Sequence, residues 1–297
     1  MIEIVFLGTA AMMPTVKRNT TGILLLYRDK GILFDCGEGI QRQFQKARIA
    51  LTKITHLLIT HSHGDHFFGF PGLIRTLSAM QYNKKLEIFG PKGIKEKIEK
   101  VLEAFGIKPE IEFNVNEVSK GLIYENKEFE LHAEEMLHNE KCLGYAFLEK
   151  SKRKIDLKAI KNLGLPKGPL IGRLQRGKTI EFKGKKISPD EVSRIVKGKK
   201  IVFITDTRPC EGIFKLAGNA DLLIIESTFA SDQSEKAEEY LHLTAKEAAE
   251  IANSANVGKL VLTHFSQRYK DVSIIENEAK AIFKNVFCAE DFLRIKI

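Results

Sequence analysis

The sequence predicts an α/β protein built from layered mixed sheets with helices outside them. Three observations predict it. Short apolar, β-branched runs alternate with amphipathic helical patterns along most of the 297 residues. Histidines and aspartates recur directly after those runs, where the rim of a sheet can gather them. One basic segment interrupts the alternation.

Strand patterns are read over residues 2–7, 22–27, 32–35, 56–60 and 86–89, with helical patterns over 40–49, 70–80 and 94–105 between them. Strands follow over 112–118, 122–131 and 143–148. After the basic segment come strands over 201–205, 221–226 and 259–263, helices over 234–255 and 274–283, and a last strand over 292–297. No repeat or low-complexity tail appears. With 43% hydrophobic and 29% charged residues, the chain suits a single domain over 1–297 with ample core, carrying an inserted arm over 150–186.

Composition narrows the function classes. Cys36, Cys142, Cys210 and Cys288 are far apart, so they supply neither a zinc ribbon nor a disulfide framework, and a reducing cytoplasm is the expected location. Residues 1–8 form a strand pattern without a basic leader, and no apolar run nears the roughly 18 residues of a membrane helix. Neither secretion nor membrane insertion is expected. The net charge of +9 is localised. Residues 150–186 hold thirteen Lys and Arg against Asp156 and Glu181, a local +11 that leaves −2 for the remainder. Such a patch points to a polyanion bound through its phosphates, whereas a solvated lysine-rich face is the plainer alternative. Gly164, Pro166, Gly168 and Pro169 add a stiff, turn-rich tip, so the segment reads as a projecting arm.

The chemistry centres on His61, His63, Asp65 and His66, which follow the apolar run 57–59. Neutral imidazole and carboxylate are the usual ligands of zinc and similar divalent ions. His61 and His63 share one side of an extended segment, while Asp65 and His66 lie past Gly64 and face a second position. Asp206 and His264 also directly follow apolar runs, and His138 ends the extended stretch 129–137. Taken singly, His138 or Asp206 is equally an ordinary polar group at a strand end. Together, five His and two Asp exceed what one tetrahedral zinc uses, which predicts two zinc ions per subunit about 3.5 to 4 Å apart, other divalent ions being alternatives. His61, His63 and His138 are expected on one ion, Asp65, His66 and His264 on the other, and Asp206 between them. His56 and His132 lie within strand patterns and are read as structural.

These residues carry a resemblance. His61-Ser62-His63-Gly64-Asp65-His66 is similar to the H-x-H-x-D-H signature of the metallo-β-lactamase superfamily, whose fold is an αβ/βα sandwich. More narrowly, the chain resembles the ribonuclease Z family of tRNA 3′-processing endonucleases. The segments 8–19, 34–43, 65–73 and 264–269 are similar to that family's loops, and 164–170 to the Gly-Pro tip of its tRNA-binding arm. The family's His-Glu-Ala-Thr stretch reads Ile225-Glu226-Ser227-Thr228 here, and its His-Ser-Thr stretch reads His242-Leu243-Thr244. No role is assigned to the Ile225 position.

The resemblance implies a homodimeric, cytoplasmic enzyme that cuts precursor tRNA after the discriminator nucleotide. A 3′-hydroxyl tRNA and a 5′-phosphate trailer would result. It implies that Asp65 orients the attacking water and accepts its proton, and that His242, held by Glu226, protonates the leaving oxygen. Lys17, Arg18, Asn19 and Arg268 become candidates for phosphate and 3′-end contacts, and Lys167, Arg173 and Arg176 for contacts from the arm. Two rivals come from other classes. Another hydrolase of the superfamily, acting on a small ester or phosphodiester, would need the metals but no +11 arm. A noncatalytic RNA-binding protein would need the arm but neither a complete ligand set nor His242.

Overall fold

The computed structural model describes residues 1–297. The first half forms β1 (Ile2–Gly8), β2 (Gly22–Tyr27), β3 (Lys30–Phe34), α1 (Ile40–Lys46), β4 (Ile54–Leu58), α2 (Gly64–Phe67), α3 (Phe70–Ala79), β5 (Leu86–Pro91), α4 (Ile94–Ala104) and β6 (Phe113–Val118). The second opens with β7 (Gly121–Glu125), β8 (Phe129–Met136) and β9 (Cys142–Glu149). It continues through β10 (Lys152–Ile155), α5 (Leu157–Asn162), α6 (Pro169–Gln175), β11 (Ile180–Phe182), β12 (Lys185–Ile187) and β13 (Ser193–Val196). It closes with β14 (Lys200–Ile204), α7 (Glu211–Ala217), β15 (Leu222–Glu226), α8 (Ser234–Glu239), α9 (Ala245–Ser254), β16 (Leu260–Thr263), α10 (Ser273–Ile282), β17 (Val286–Cys288) and β18 (Arg294–Lys296).

Two seven-stranded sheets result, ordered β18-β1-β2-β3-β4-β5-β6 and β17-β16-β15-β14-β9-β8-β7. Strands β1 to β3 are antiparallel and β3 to β6 parallel. The second sheet mirrors this, with β7, β8 and β9 antiparallel and β14 to β17 parallel. Strands buried on both faces need apolar residues at nearly every position, which is why inner strands such as β2, β14, β15 and β16 read as near-continuous apolar runs. Alternation then sorts the side chains: Ile2, Ile4 and Phe6 of β1 enter the core between the sheets, while Val5 and Leu7 pack with Ile40 and Phe44 of α1. Helix α4 buries Ile94, Ile98 and Leu102 at helical spacing against the first sheet, and α9 buries Ala245, Ala248, Ala249 and Ala252 against the second. Between the sheets, Phe34 stacks on Phe203 with centroids 3.5 Å apart. Each such fully buried large side chain contributes about 1.5–3 kcal/mol. The expected layering of sheets with outer helices is the observed one.

Several elements differ from expectation. The strand expected over 122–131 turns at Asn126, whose Oδ1 accepts from the N–H groups of Glu128 (2.7 Å) and Phe129 (2.9 Å), producing the β7–β8 hairpin. The helix expected over 234–255 breaks. Leu241 takes a left-handed φ of 58°, and Thr244 restarts the helix as N-cap of α9 in a reciprocal capping box with Glu247. Strand β17 was not among the expected strands. The basic segment, expected over 150–186, pairs β10 with β13 out to Val196 and packs Ile160, Leu165, Leu174, Ile180, Ile187 and Val192 into a small core of its own. Strands β9 and β14 connect the two regions of interest. At one end Cys142 lies beside His61 and β14 leads into Asp206; at the other, Glu149 N–H bonds to Lys199 O where the basic segment begins and ends.

Candidate active site

The candidate ligands collect where strands end. His61 follows β4, Asp206 follows β14, His264 follows β16, and His138 lies in the β8–β9 turn. Asp206 (φ 34°) and His264 (φ 62°) hold left-handed backbone, as does Asp35 (φ 59°) after β3. Such conformations cost of order 1–3 kcal/mol at non-glycine residues and persist where surrounding structure fixes them. A Cβ on Gly37 would lie 2.5 Å from the Asp65 carbonyl oxygen, so glycine is what lets the loop after β3 approach the Asp65 turn.

Two donor clusters meet at Asp206. In the first, His61 Nε2 is 2.9 Å from His63 Nδ1, and His138 Nε2 is 3.4 Å from the same atom. Asp206 Oδ2 lies 3.5 Å from His61 Nε2 and 3.8 Å from His138 Nε2. In the second, His66 Nε2 is 3.2 Å from His264 Nε2, and both are within 3.3 Å of Asp65 Oδ2. The other oxygen of Asp206, Oδ1, is 3.1 Å from His264 and 3.4 Å from His66. Ligands on one tetrahedral zinc at about 2.0–2.1 Å stand roughly 3.3 Å apart, so the spacing fits one divalent ion per cluster. Asp206 Oδ1 is fully buried and has no hydrogen-bond donor, as an oxygen intended for a cation would be.

Neighbouring groups aim these ligands. His66 Nδ1 bonds to Asp35 Oδ2 at 2.7 Å, and Asp35 also accepts from the N–H (2.7 Å) and hydroxyl (2.9 Å) of Thr60. His61 Nδ1 faces Thr60 Oγ1 (3.0 Å), His138 Nδ1 the Leu241 carbonyl (3.3 Å), and His264 Nδ1 the Thr228 hydroxyl (2.9 Å). With Nδ1 bonded outward in all four, Nε2 presents its lone pair inward. Burial lowers the pKa of His61 and His138, which favours the neutral ligating form. Burial alone would raise Asp206, but the charges of His264, His66 and His61 hold it well below the usual carboxylate range. His66 is the exception: burial pushes it down, but Asp65, Asp206 and Asp35 outweigh burial and raise it, so a cation there would displace a proton.

A third group adjoins both clusters. Buried Glu226, at the end of β15, lies 3.0 Å from His242 Nδ1 through Oε1, which also accepts Thr207 N–H at 2.7 Å; its Oε2 accepts the Thr228 hydroxyl at 2.6 Å. The His242 ring lies 5.4 Å from His138 and 5.5 Å from His264 between centroids. Burial would lower the pKa of His242, but the charge and hydrogen bond of Glu226 raise it to about 9. His242 lies in the turn between α8 and α9, not in a helix.

The other candidates disperse. Lys17 is exposed, whereas Arg18 donates through Nη2 to the Tyr269 carbonyl and Asn19 donates to Glu38 O (2.8 Å), so both hold their own loop. Met12 N–H of that loop bonds Asp65 Oδ2 at 2.8 Å. Arg268 bonds Gln233 Oε1 (2.5 Å) and lies over Phe229. Lys167, Arg173 and Arg176 are exposed on the inserted segment, outside the clusters. His56 is buried against Tyr124 and Phe129, and His132 pairs with Glu130. Sequence reasoning assigned no role to Asp35, Thr228, Thr207 or Arg208. Asp35 had a usable signal, since it follows the apolar run 32–34 as His61 follows its own.

Family models match the chain in two places: that of the anti-Pycsar protein Apyc1 over residues 2–154 and that of the beta-lactamase superfamily domain over 182–265. Ribonuclease Z of Methanosarcina acetivorans is 40% identical over 302 residues, covering all of this chain and 98% of that one. Ribonuclease Z of Exiguobacterium sibiricum is 40% identical over 299 residues, covering 100% and 99%. The chain belongs to the ribonuclease Z family. The crystal structure of human tRNase Z, short form, matches with a TM-score of 0.73 at 28% identity over 99% of both chains. The metallo-beta-lactamase fold protein YhfI from Bacillus subtilis shares the fold, with a TM-score of 0.71 at 18% identity. As a ribonuclease Z family member with this fold and donor set, the protein is a nuclease acting on phosphodiester bonds through divalent metal. Ile225, the position to which no role was assigned, is buried in the core on the helix-covered face of the second sheet.

Proposed function

We propose that this chain is a two-zinc endoribonuclease that cleaves precursor tRNA on the 3′ side of the discriminator nucleotide. The observation that carries the reading is the 3.0 Å contact of Glu226 with His242 against both donor clusters. A metal ligand set alone would serve any hydrolase of the fold. A cationic imidazole beside it serves a reaction whose leaving alkoxide needs a proton.

Two ions bound by these residues would acidify a water and offset charge on the phosphoryl oxygens. His61, His63 and His138 would hold one, Asp65, His66 and His264 the other, and Asp206, between the clusters, would serve both. Asp65 orients the attacking water and accepts its proton. As the water oxygen bonds to phosphorus, the bond to the discriminator O3′ breaks, and His242 delivers its proton to that oxygen. Glu226 keeps His242 cationic until then. The products are a 3′-hydroxyl tRNA and a trailer bearing a 5′ phosphate. Lys17 and Arg268 contact the substrate beside the site, while Arg18 and Asn19 shape the loop that presents Lys17.

The inserted segment grips tRNA phosphates through residues such as Lys167, Arg173 and Arg176. It leaves the ends of β9 and β14 remote from Asp206, and the eight residues of β9 span roughly 26 Å. The family resemblance implies a homodimer in which one subunit's arm holds the tRNA cut by the other. No helix is long and apolar enough to cross a membrane. All four cysteines are free, which suits a reducing cytoplasm where tRNA is processed.

The test is to incubate the metal-loaded protein with a precursor tRNA, a thioester and an aryl phosphodiester. A single cut beside the discriminator supports the reading. Turnover of the small substrates without RNA cleavage would favour another hydrolase of the fold.

A further inference from the structure

We propose that Arg208 is the positioning residue of His242, clamping the turn that carries the imidazole so that it stays on Glu226. The proposal rests on His242 as the proton donor described above. The turn needs holding. Leu241 has a φ of 58°, a conformation that β- and γ-carbon-bearing residues resist, and the helix is broken on both sides of it. Two bonds fix the backbone of the next residue: His242 N–H donates to Ala237 O at 2.8 Å, and the His242 carbonyl accepts from Arg208 Nη1 at 2.7 Å. The neighbouring carbonyls have their own partners, Leu241 O facing His138 Nδ1 (3.3 Å) and Leu243 O accepting from Phe229 N–H (3.3 Å), so Arg208 is what holds the carbonyl of His242 itself.

Arg208 is itself rigidly mounted. Its guanidinium forms a two-bond fork with Glu247, Nη1 to Oε2 at 2.9 Å and Nη2 to Oε1 at 2.7 Å. Glu247 is in turn fixed by the Thr244 N–H and hydroxyl, both at 2.9 Å. At the other end, Arg208 N–H donates to Leu137 O at 2.9 Å, beside His138. Its neighbour Thr207 reaches Glu226 through N–H and accepts Leu137 N–H on its hydroxyl (3.1 Å). The stretch Asp206-Thr207-Arg208 thus carries the carboxylate between the clusters and contacts the Glu226 carboxylate and the His242 carbonyl from one short turn. A planar fork that serves a carboxylate and a carbonyl together is a geometry lysine cannot reproduce.

The alternative is that Arg208 merely braces the α8–α9 connection, and zinc-loaded R208A, R208K, H242A and the double variant H242A/R208A separate the two. The readouts are cleavage of precursor tRNA, hydrolysis of aryl phosphodiesters with a poor and an activated leaving group, and metal stoichiometry. R208A is expected to lower kcat about 10²-fold, the effect of a misplaced reacting group, with KM and metal content unchanged. The loss should shrink for the activated leaving group, and R208K, which restores one donor without the fork, should recover part of it. In the H242A background R208A should cost nothing further, because its effect passes through His242. An equal loss in that background, or a loss in KM instead of kcat, overturns the proposal. Placement is also read without turnover, from the downfield His242 Nδ1–H proton resonance bonded to Glu226. Its disappearance in R208A supports the clamp and its persistence overturns it, even should H242A leave the rate unchanged and so refute the proton-donor reading alone.

Discussion

At the residue scale, the decisive atoms are the two oxygens of Asp206, one facing each donor cluster. Replacing Asp206 by Ala should remove the shared ligand, lower metal stoichiometry and abolish cleavage while leaving circular dichroism near wild type, since the lesion is at a strand end. Near-normal turnover with two bound ions would reject the bridging role. Replacing His242 by Ala should leave metal content intact yet slow cleavage by on the order of 10² to 10⁴, and much less for an activated leaving group. Equal losses on both substrates would make His242 an RNA-positioning group. The Glu226 contact also has a pH signature. In the metal-free protein, NMR should show His242 titrating near 9, and Glu226→Gln should bring it down toward 6.5. Because the folded-state value is the raised one, the stability this contact contributes is complete below about 6.5 and is lost as pH rises through about 9. A titration unchanged by Glu226→Gln would dissociate the pair. The candidate ligands were legible in the sequence because His61, Asp206 and His264 closely follow apolar runs, His63, Asp65 and His66 cluster behind the first of these, and His138 ends an extended stretch. Asp35 obeys the same rule after β3, but its contact with His66, 31 residues away, belongs to the folded chain. The left-handed backbone of Asp206 and His264 falls on residues other than glycine, so composition carries no mark of it.

At the element scale, the longest miss was also functional. Residues 234–255 are rich in Ala, Glu and Lys, good helix formers on both sides of His242, so local propensity runs straight through the turn. The break is made by two tertiary contacts, Glu226 on the His242 ring and Arg208 on its carbonyl, together with the local Thr244–Glu247 capping box that restarts α9. The inserted segment was legible as charge but not in extent, since β13 lies beyond the basic run and only its pairing with β10 shows that it belongs to the segment. Its proposed role yields a prediction. Joining Glu149 to Lys199, already hydrogen-bonded neighbours, deletes the arm without opening the sheet. KM for precursor tRNA should rise more than kcat falls, because the lost binding is equal in ground and transition states. Each lost phosphate contact should reduce the slope of log K against log salt by about 0.7–0.9, and a short aryl phosphodiester should be hydrolysed as before. An unchanged affinity and salt slope would mark the segment as a solvated lysine-rich face.

At the scale of the whole molecule, two mirrored half-parallel sheets bring ligands from both halves of the chain to one rim, while the basic segment leaves from the opposite ends of β9 and β14. The alternation of apolar runs announced the layers, whereas the separation of arm and site follows from strand direction, which only the pairing reveals. The proposed homodimer predicts complementation. Mixing an arm-deleted subunit with an Asp206→Ala subunit should restore part of the cleavage in isolated heterodimers, and no rescue there would place arm and site in the service of the same chain. The central claim is the position and chemistry of the cut, and end-mapping of the products from one precursor tRNA tests it most directly. The account predicts a single scission after the discriminator, with a 3′ hydroxyl on the tRNA and a 5′ phosphate on the trailer, dependent on added zinc. Scission at scattered positions, or a phosphate left on the tRNA 3′ end, would contradict it.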